Sequence, residues 1–373
     1  AESPDGIHWE KPLLGLSEFD GSKDNNIILG SEFECNFDNF MVFRDDNPAC
    51  PPEERYKGIA SYQDKKNPGP NVLYSYFSTD GIHFTKSHEI ITADQNPSVY
   101  NRADGLFGMG CVNRLEKAET IHGPWSVCVS NAHVFGDCPC PFEWNGWHYI
   151  IQGFCTMARS RTGENGTYED EVLAGYDVYE GLSVPMVAPW KDDRRLLIGW
   201  INHGYGWGGW LCFRELVQYP DGHLGTKWVP EIPMPTPVKT YRVKPGEEFN
   251  LEFTGTGDAF AFTLDSAARK AWFSTRQANG AYRQIPTLGE MAAENAKKGG
   301  GRRLCMGRKY RPDDGNDFAI GNIRGLDRPF EVKVENHFDR KSGFTLLDIE
   351  IAGQRTMVTR RRGRFTVDGP GKD

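Results

Sequence analysis

The stretch Ser78-Thr79-Asp80-Gly81-Ile82-His83-Phe84 decides the fold, because a near-copy stands at Ser3-Pro4-Asp5-Gly6-Ile7-His8-Trp9. Asp-Gly supplies a tight turn, and the aromatic residue after it packs the start of the next strand. The copy at 78–84 follows Val72-Leu73-Tyr74-Ser75-Tyr76-Phe77, a run with strand character. A looser relative, Ile121-His122-Gly123-Pro124-Trp125, closes a third unit. Internal repeats of this kind mark sheet-built repeat architectures. Each motif is therefore read as the hairpin joining the outer strands of a β-propeller blade. His8, His83 and His122 occupy the same place in their units, which assigns them to blade stability rather than to a metal.

Working outward, Asn39–Phe43, Arg55–Tyr62 and Val72–Phe77 are predicted strands, joined by polar, Pro-rich loops at 45–54 and 63–70. Pro141-Phe142-Glu143-Trp144, the turn Asn145-Gly146 and Trp147–Phe154 form a predicted hairpin. Arg195–Ile201, Leu211–Tyr219 and the turn Asp221-Gly222 repeat that grammar. Val229-Pro230-Glu231-Ile232-Pro233-Met234-Pro235-Thr236-Pro237 cannot be a paired central strand and reads as a linker. Beyond it, Phe249–Phe253, Ala259–Leu264, Phe330–Glu335, Phe344–Ile351 and Thr356–Arg360 have the pattern of sandwich strands. One short helix is predicted within 285–298, and the Gly- and Lys-rich 295–303 is predicted to be a loop. The expectation is an all-β chain. Residues 1–228 form a β-propeller, 229–245 a Pro-rich linker and 246–373 a β-sandwich.

Composition narrows the function classes. With 38% hydrophobic and 25% charged residues, the 373-residue chain is globular and long enough for two domains. Its formal net charge of −8 argues against a nucleic-acid partner, which would need a basic stripe. Arg360, Arg361 and Arg362, next to Arg364, are read as a solvated strand end. No run approaches the roughly 20 apolar residues of a membrane span. No signal segment is visible, and Ala1-Glu2-Ser3-Pro4 leads straight into a motif, as in a piece of a longer precursor. Nine cysteines leave disulfides and buried thiols both open, and Cys138-Pro139-Cys140 lacks the second pair of a zinc site. No cofactor is called for.

Arg194-Arg195-Leu196-Leu197-Ile198-Gly199-Trp200-Ile201-Asn202, then Phe213-Arg214-Glu215-Leu216 and Asp221-Gly222-His223-Leu224, resemble the last blade of the invertase and fructanase glycoside hydrolases of family 32. The resemblance covers about 30–230 and is weaker in the sandwich. It implies a five-bladed type of propeller, its first blade incomplete in this chain, with three carboxylates on innermost strands. Asp38, in Phe37-Asp38-Asn39-Phe40, stands where the family has its transition-state stabiliser in Arg-Asp-Pro. Asp137, in Asp137-Cys138-Pro139, stands where the family has the acid/base Glu of Glu-Cys-Pro. The family's first-blade nucleophile motif has no counterpart, and Asp24-Asn25-Asn26 is a poor substitute, so fructose specificity is not supported.

Two carboxyl groups are what glycoside hydrolysis needs, about 5–5.5 Å apart for retention and about 6.5–9.5 Å for inversion. Asp38 and Asp137 are the catalytic candidates, Asp137 also readable as a turn-capping residue before Pro-rich backbone. Arg44 can meet a sugar carboxylate or sulfate through its planar fork, or form a structural ion pair. Asp177 precedes the last blade where relatives keep an Asp near substrate. His203 and Trp207 lie in the aromatic, Gly-rich run Asn202–Trp210, suited to a sugar platform. The expected partner is an oligo- or polysaccharide in a secreted or envelope setting, with a further chain or segment completing the first blade. Three activities compete: a glycosidase cutting terminal sugars, a propeller lyase acting on uronic-acid glycosides, and a non-catalytic glycan-binding subunit.

Overall fold

The computed structural model describes all residues except 6–7, 31–34, 65–71, 93–95, 112–113, 131–137, 152, 154–156, 172–180, 205–207, 257, 299–314 and 370–373. The protein is all-β, with propeller-type four-stranded blades followed by a β-sandwich. By backbone proximity it divides into two compact units, 1–150 with 160–168, and 151–159 with 169–373.

The first blade-like sheet is β1 (Cys35–Arg44), β2 (Tyr56–Asp64), β3 (Val72–Ser78) and β4 (Thr85–Thr92), antiparallel in chain order. β5 (Ser98–Asn101), β6 (Phe107–Cys111), β7 (Arg114–Ala118) and β8 (Ser126–Ser130) repeat the arrangement, as do β9 (Cys140–Trp144), β10 (Trp147–Ile151), β11 (Met157–Ser160) and β12 (Glu169–Asp170). Before β1 the described residues hold two isolated bridges, Glu2 with Glu10 and Phe19 with Ser22. Within the first unit, Ile59, Leu73, Val99, Met109, Cys111 and Ile121 form a buried cluster that joins the first two sheets. Removing such apolar surface from water is the main gain of folding them. β1 lies beside β5, and β5 beside β9. The leading strands of three successive sheets thus adjoin, as innermost propeller strands do.

The repeated turns work as their sequence suggests. Asp80 accepts the backbone N–H groups of Ile82 and His83 through Oδ1, while its Oδ2 sits 2.7 Å from His83 Nδ1. Asp5 and His8 make the same clasp at 2.6 Å. A carboxylate that gathers several N–H groups is held in its charged form. His122 departs from the pattern and turns inward, with Nδ1 2.8 Å from Ser75 Oγ and Nε2 3.4 Å from Glu54 Oε1.

The second unit contains the last blade, β13 (Ser183–Pro189), β14 (Arg195–Asn202), β15 (Gly209–Gln218) and β16 (Leu224–Lys227). Its sandwich pairs two sheets. One has the order β17 (Lys239–Val243), β22 (Phe330–Asp339), β23 (Phe344–Ile351) and β24 (Arg355–Arg362). The other runs β21 (Phe318–Ile320), β20 (Lys270–Thr275), β19 (Asp258–Asp265), β18 (Glu248–Gly255) and β25 (Phe365–Asp368). Alternation puts Val332 and Val334, Leu347, Ile349 and Ile351, and Met357 into one core with Leu251, Phe253, Phe260, Phe262 and Phe273. The helix α1 (Leu288–Lys297) falls inside the predicted window, started by a capping box between Thr287 and Glu290. Of the predicted loop at 295–303, residues 295–297 instead form the end of α1, and the part from 299 lies outside the described residues.

The opposite face of β22–β24 is polar and meets the last blade. Thr226 and Thr356 hydroxyls bond at 2.8 Å, Trp228 Nε1 donates to Asp348 and Trp228 N–H to Glu350. Arg214, 2% exposed, donates to Asp348 at 2.9 Å. At Gly181, with φ +99°, a β-carbon would lie 1.9 Å from the Val358 carbonyl oxygen. Only glycine fits there.

Candidate active site

Asp38 lies on β1 opposite Ser61 of β2. The register then slips, because Met41 faces Ile59, so β1 carries one extra residue between them. Bulges of this kind re-aim the strand and are frequent beside functional sites. Phe40 anchors the bulge, with its ring edge-on to Tyr76 at 5.3 Å and to Phe84 at 5.2 Å. Gly58 makes room for it, since a β-carbon there would sit 2.6 Å from the Phe40 ring.

Asp137 lies outside the described residues. Three residues later β9 begins at Cys140, after Cys138 in a left-handed conformation with φ 55°. Pro141 on β9 packs against Gly110 of β6, where a β-carbon would approach to 2.7 Å. Asp38 and the entry to β9 therefore belong to innermost strands of one compact unit.

Arg44 is not brought to Asp38. It stands six residues further along β1, roughly 20 Å away at strand rise. There its Nε pairs with Asp46 Oδ1 at 3.0 Å, both side chains exposed. The next residue, Asp45, is buried instead and accepts from Lys57 Nζ at 3.0 Å. The loop read as merely polar thus contains a buried ion pair. Its ammonium also donates to Cys50 Sγ at 3.1 Å and Glu54 O at 2.9 Å.

In the second unit, His203 follows β14 and is half-buried, its ring 6.3 Å from Trp210 and edge-on to it. Trp210 in turn meets Phe344 edge-on at 6.1 Å and donates from Nε1 to Asp339 Oδ2 at 3.2 Å. The sequence marks this loop but does not distinguish Trp210 within it. Its signal was a ring at the start of a strand whose partner lies 134 residues away. Asp177 and Trp207 lie outside the described residues.

Glu215 and Glu171 serve the structure. Burial pushes the Glu215 carboxyl up, but Arg194 at 2.6 Å and Lys227 at 3.0 Å outweigh it, leaving its pKa lowered. Glu171 is fully buried, and that burial raises it to about 7 despite its Arg159 partner. His223 Nε2 lies 3.1 Å from Glu171, and its Nδ1 lies 3.3 Å from Asp221. Asp221 Oδ2 in the β15–β16 turn also accepts from the Arg324 guanidinium at 2.5 Å. Glu171, closed to solvent, cannot touch a substrate.

No family model and no curated protein sequence matches the chain. Solved structures similar to it include a fructofuranosidase from Schwanniomyces occidentalis complexed with fructose, 10% identical over 90% of this chain and 79% of that one, with TM-score 0.48. A GH32 beta-fructofuranosidase from Bombyx mori is 12% identical over 84% and 74%, also with TM-score 0.48. A xylan beta-1,4-xylosidase from Bacillus Halodurans C-125 is 9% identical over 90% and 78%, with TM-score 0.37.

Proposed function

We propose that the chain is a glycoside hydrolase that removes terminal sugars from an oligo- or polysaccharide outside the cytoplasm, with Asp38 and Asp137 as its working carboxyls. One observation carries the reading: Asp38 lies at a bulge of β1, and β9, the strand that Asp137 leads into, belongs to the same set of adjoining innermost strands. The reading requires that Asp38 and Asp137, 99 residues apart in sequence, face one cavity. Asp137 protonates the leaving oxygen, and Asp38 supports the positive charge developing on the sugar ring.

The test is turnover of a panel of neutral and uronic-acid oligosaccharides by the full chain, followed by reducing-end release. Asp137→Asn should lower turnover by about 10²–10⁴-fold, the range typical of a lost general acid. Asp38→Asn should lower it comparably with little change in KM. An unsaturated product absorbing in the ultraviolet would replace hydrolysis by elimination, and glycan binding without any product would leave a binding subunit.

A further inference from the structure

Two turns lie side by side at one end of the sandwich. The Gly363 N–H donates to Gly343 O at 2.8 Å, and the Thr345 hydroxyl donates to Gly363 O at 2.6 Å. Arg340 and Lys341, in the β22–β23 turn, are thereby set next to Arg362 and Arg364, which flank the β24–β25 turn. All four side chains are exposed. Among the described residues none of the four makes an ion pair.

Two of them are oriented. The Arg362 guanidinium lies 5.2 Å from the Phe344 ring centre, and that of Arg364 lies 4.8 Å from Phe338. Stacking on a ring fixes the plane of a guanidinium while leaving its N–H edge open to a ligand. The neighbouring carboxylate, Asp339, is already engaged by Trp210 Nε1 and by the Lys341 N–H. The sequence reading of 360–364 as a solvated strand end fails for its first half. Arg360 is 8% exposed and lies over Phe344, and Arg361 pairs with Asp317 at 3.2 Å. What reaches solvent is a built cluster of unmatched positive charge on a chain of net charge −8.

We propose that this end of the sandwich binds an acidic polysaccharide through Arg340, Lys341, Arg362 and Arg364. Guanidinium forks match the planar carboxylate and the oxygens of a sulfate. A nucleic acid fits less well. Phe338 and Phe344 are covered by guanidinium groups and offer no stacking platform for bases, and the charge is confined to two turns rather than laid out as a stripe. The proposal uses none of the residues assigned to hydrolysis, so either reading can fail without the other.

The experiment is affinity electrophoresis of the full chain through gels containing polygalacturonate, chondroitin sulfate or neutral dextran, with duplex DNA as a competitor. Retardation is expected in the two acidic gels, weakening as salt is raised, and none in dextran. Arg340→Ser with Lys341→Ser, which touches no ring, should weaken binding several-fold. Adding Arg362→Ser and Arg364→Ser should bring the loss to about tenfold or more while thermal unfolding is retained. Lys239→Ser with Arg242→Ser, on the far edge strand of the same sheet, should change nothing. Unaltered binding by the quadruple variant overturns the proposal. So does free passage through both acidic gels, or DNA that competes as well as polygalacturonate.

Discussion

Lys57 Nζ sits 3.0 Å from Asp45 Oδ2, and both side chains are only 4% exposed. The pair ties the β1–β2 connection to the strand it leads into. A buried pair is costly to break because the survivor is left charged and unmatched.

Asp45→Asn should therefore destabilise the protein by roughly 3–5 kcal/mol, measured by denaturant unfolding. Combined with Lys57→Met, the loss should be smaller than for Asp45→Asn alone. Burial pushes the Asp45 carboxyl up, but the Asn47 N–H and Lys57 outweigh it, so its folded pKa is lowered. Its contribution is complete above the ordinary carboxylate pKa of about 4 and is lost as pH falls through the folded value.

Glu335 carries the opposite sign. Burial, reinforced by Asp348, raises it to about 7, with the Thr236 hydroxyl only partly offsetting this. A carboxyl whose folded pKa lies above its unfolded value contributes fully below about 4.5, and that contribution disappears as pH rises through about 7. Thermal unfolding followed from pH 4.5 to pH 7.5 should show that decline. Glu335→Gln, always neutral, should make the decline shallower across this window, leaving the share that Glu171 contributes.

Gly181→Ala places a β-carbon on the Val358 carbonyl and a side chain at φ +99°. Neither backbone can yield without moving a whole strand. Destabilisation above about 3 kcal/mol is expected by chemical unfolding, in the severe class of single substitutions. Gly343→Ala, also at positive φ but with open space around it, should cost clearly less.

Thr287→Ala removes one half of the capping box at α1. Loss of about 1 kcal/mol is expected. Hydrogen exchange should quicken at Glu290, whose N–H bonds to the Thr287 hydroxyl at 3.1 Å.

Much of the fold was legible because its strands are contiguous apolar runs between turn residues. β3, β14 and β23 are of that kind, and the Asp-Gly turns announced the clasps at Asp5 and Asp80. The sheet β5–β8 was not legible, for identifiable reasons. Phe107-Gly108-Met109-Gly110 reads as a weak strand, yet its glycines are there to admit the Tyr100 ring and Pro141. Arg114-Leu115-Glu116 looks solvated, while Glu116 is 4% exposed and paired with Arg114 at 2.6 Å. Asp38 was reached through resemblance and is now placed on an innermost strand. The basic end of the sandwich was beyond sequence reasoning, because it joins residues 340–341 to 362–364 through hydrogen bonds between two turns. Local pattern cannot see such a junction.

The polar face between the last blade and β22–β24 bears on how this architecture can be rearranged. Asp348 takes donors from Arg214 and Trp228 across the Pro-rich joint, and Glu350 takes one from Trp228 beside the Lys333 ammonium of its own sheet. Cutting at the joint would remove the Arg214 and Trp228 donors from those carboxylates and bare the Thr226–Thr356 contact. The sandwich is thus not a portable module. A graft onto another protein would have to carry the blade with it, from Gly181 onward, and recombination at the prolines would be selected against even though they mark the most conspicuous seam in the sequence.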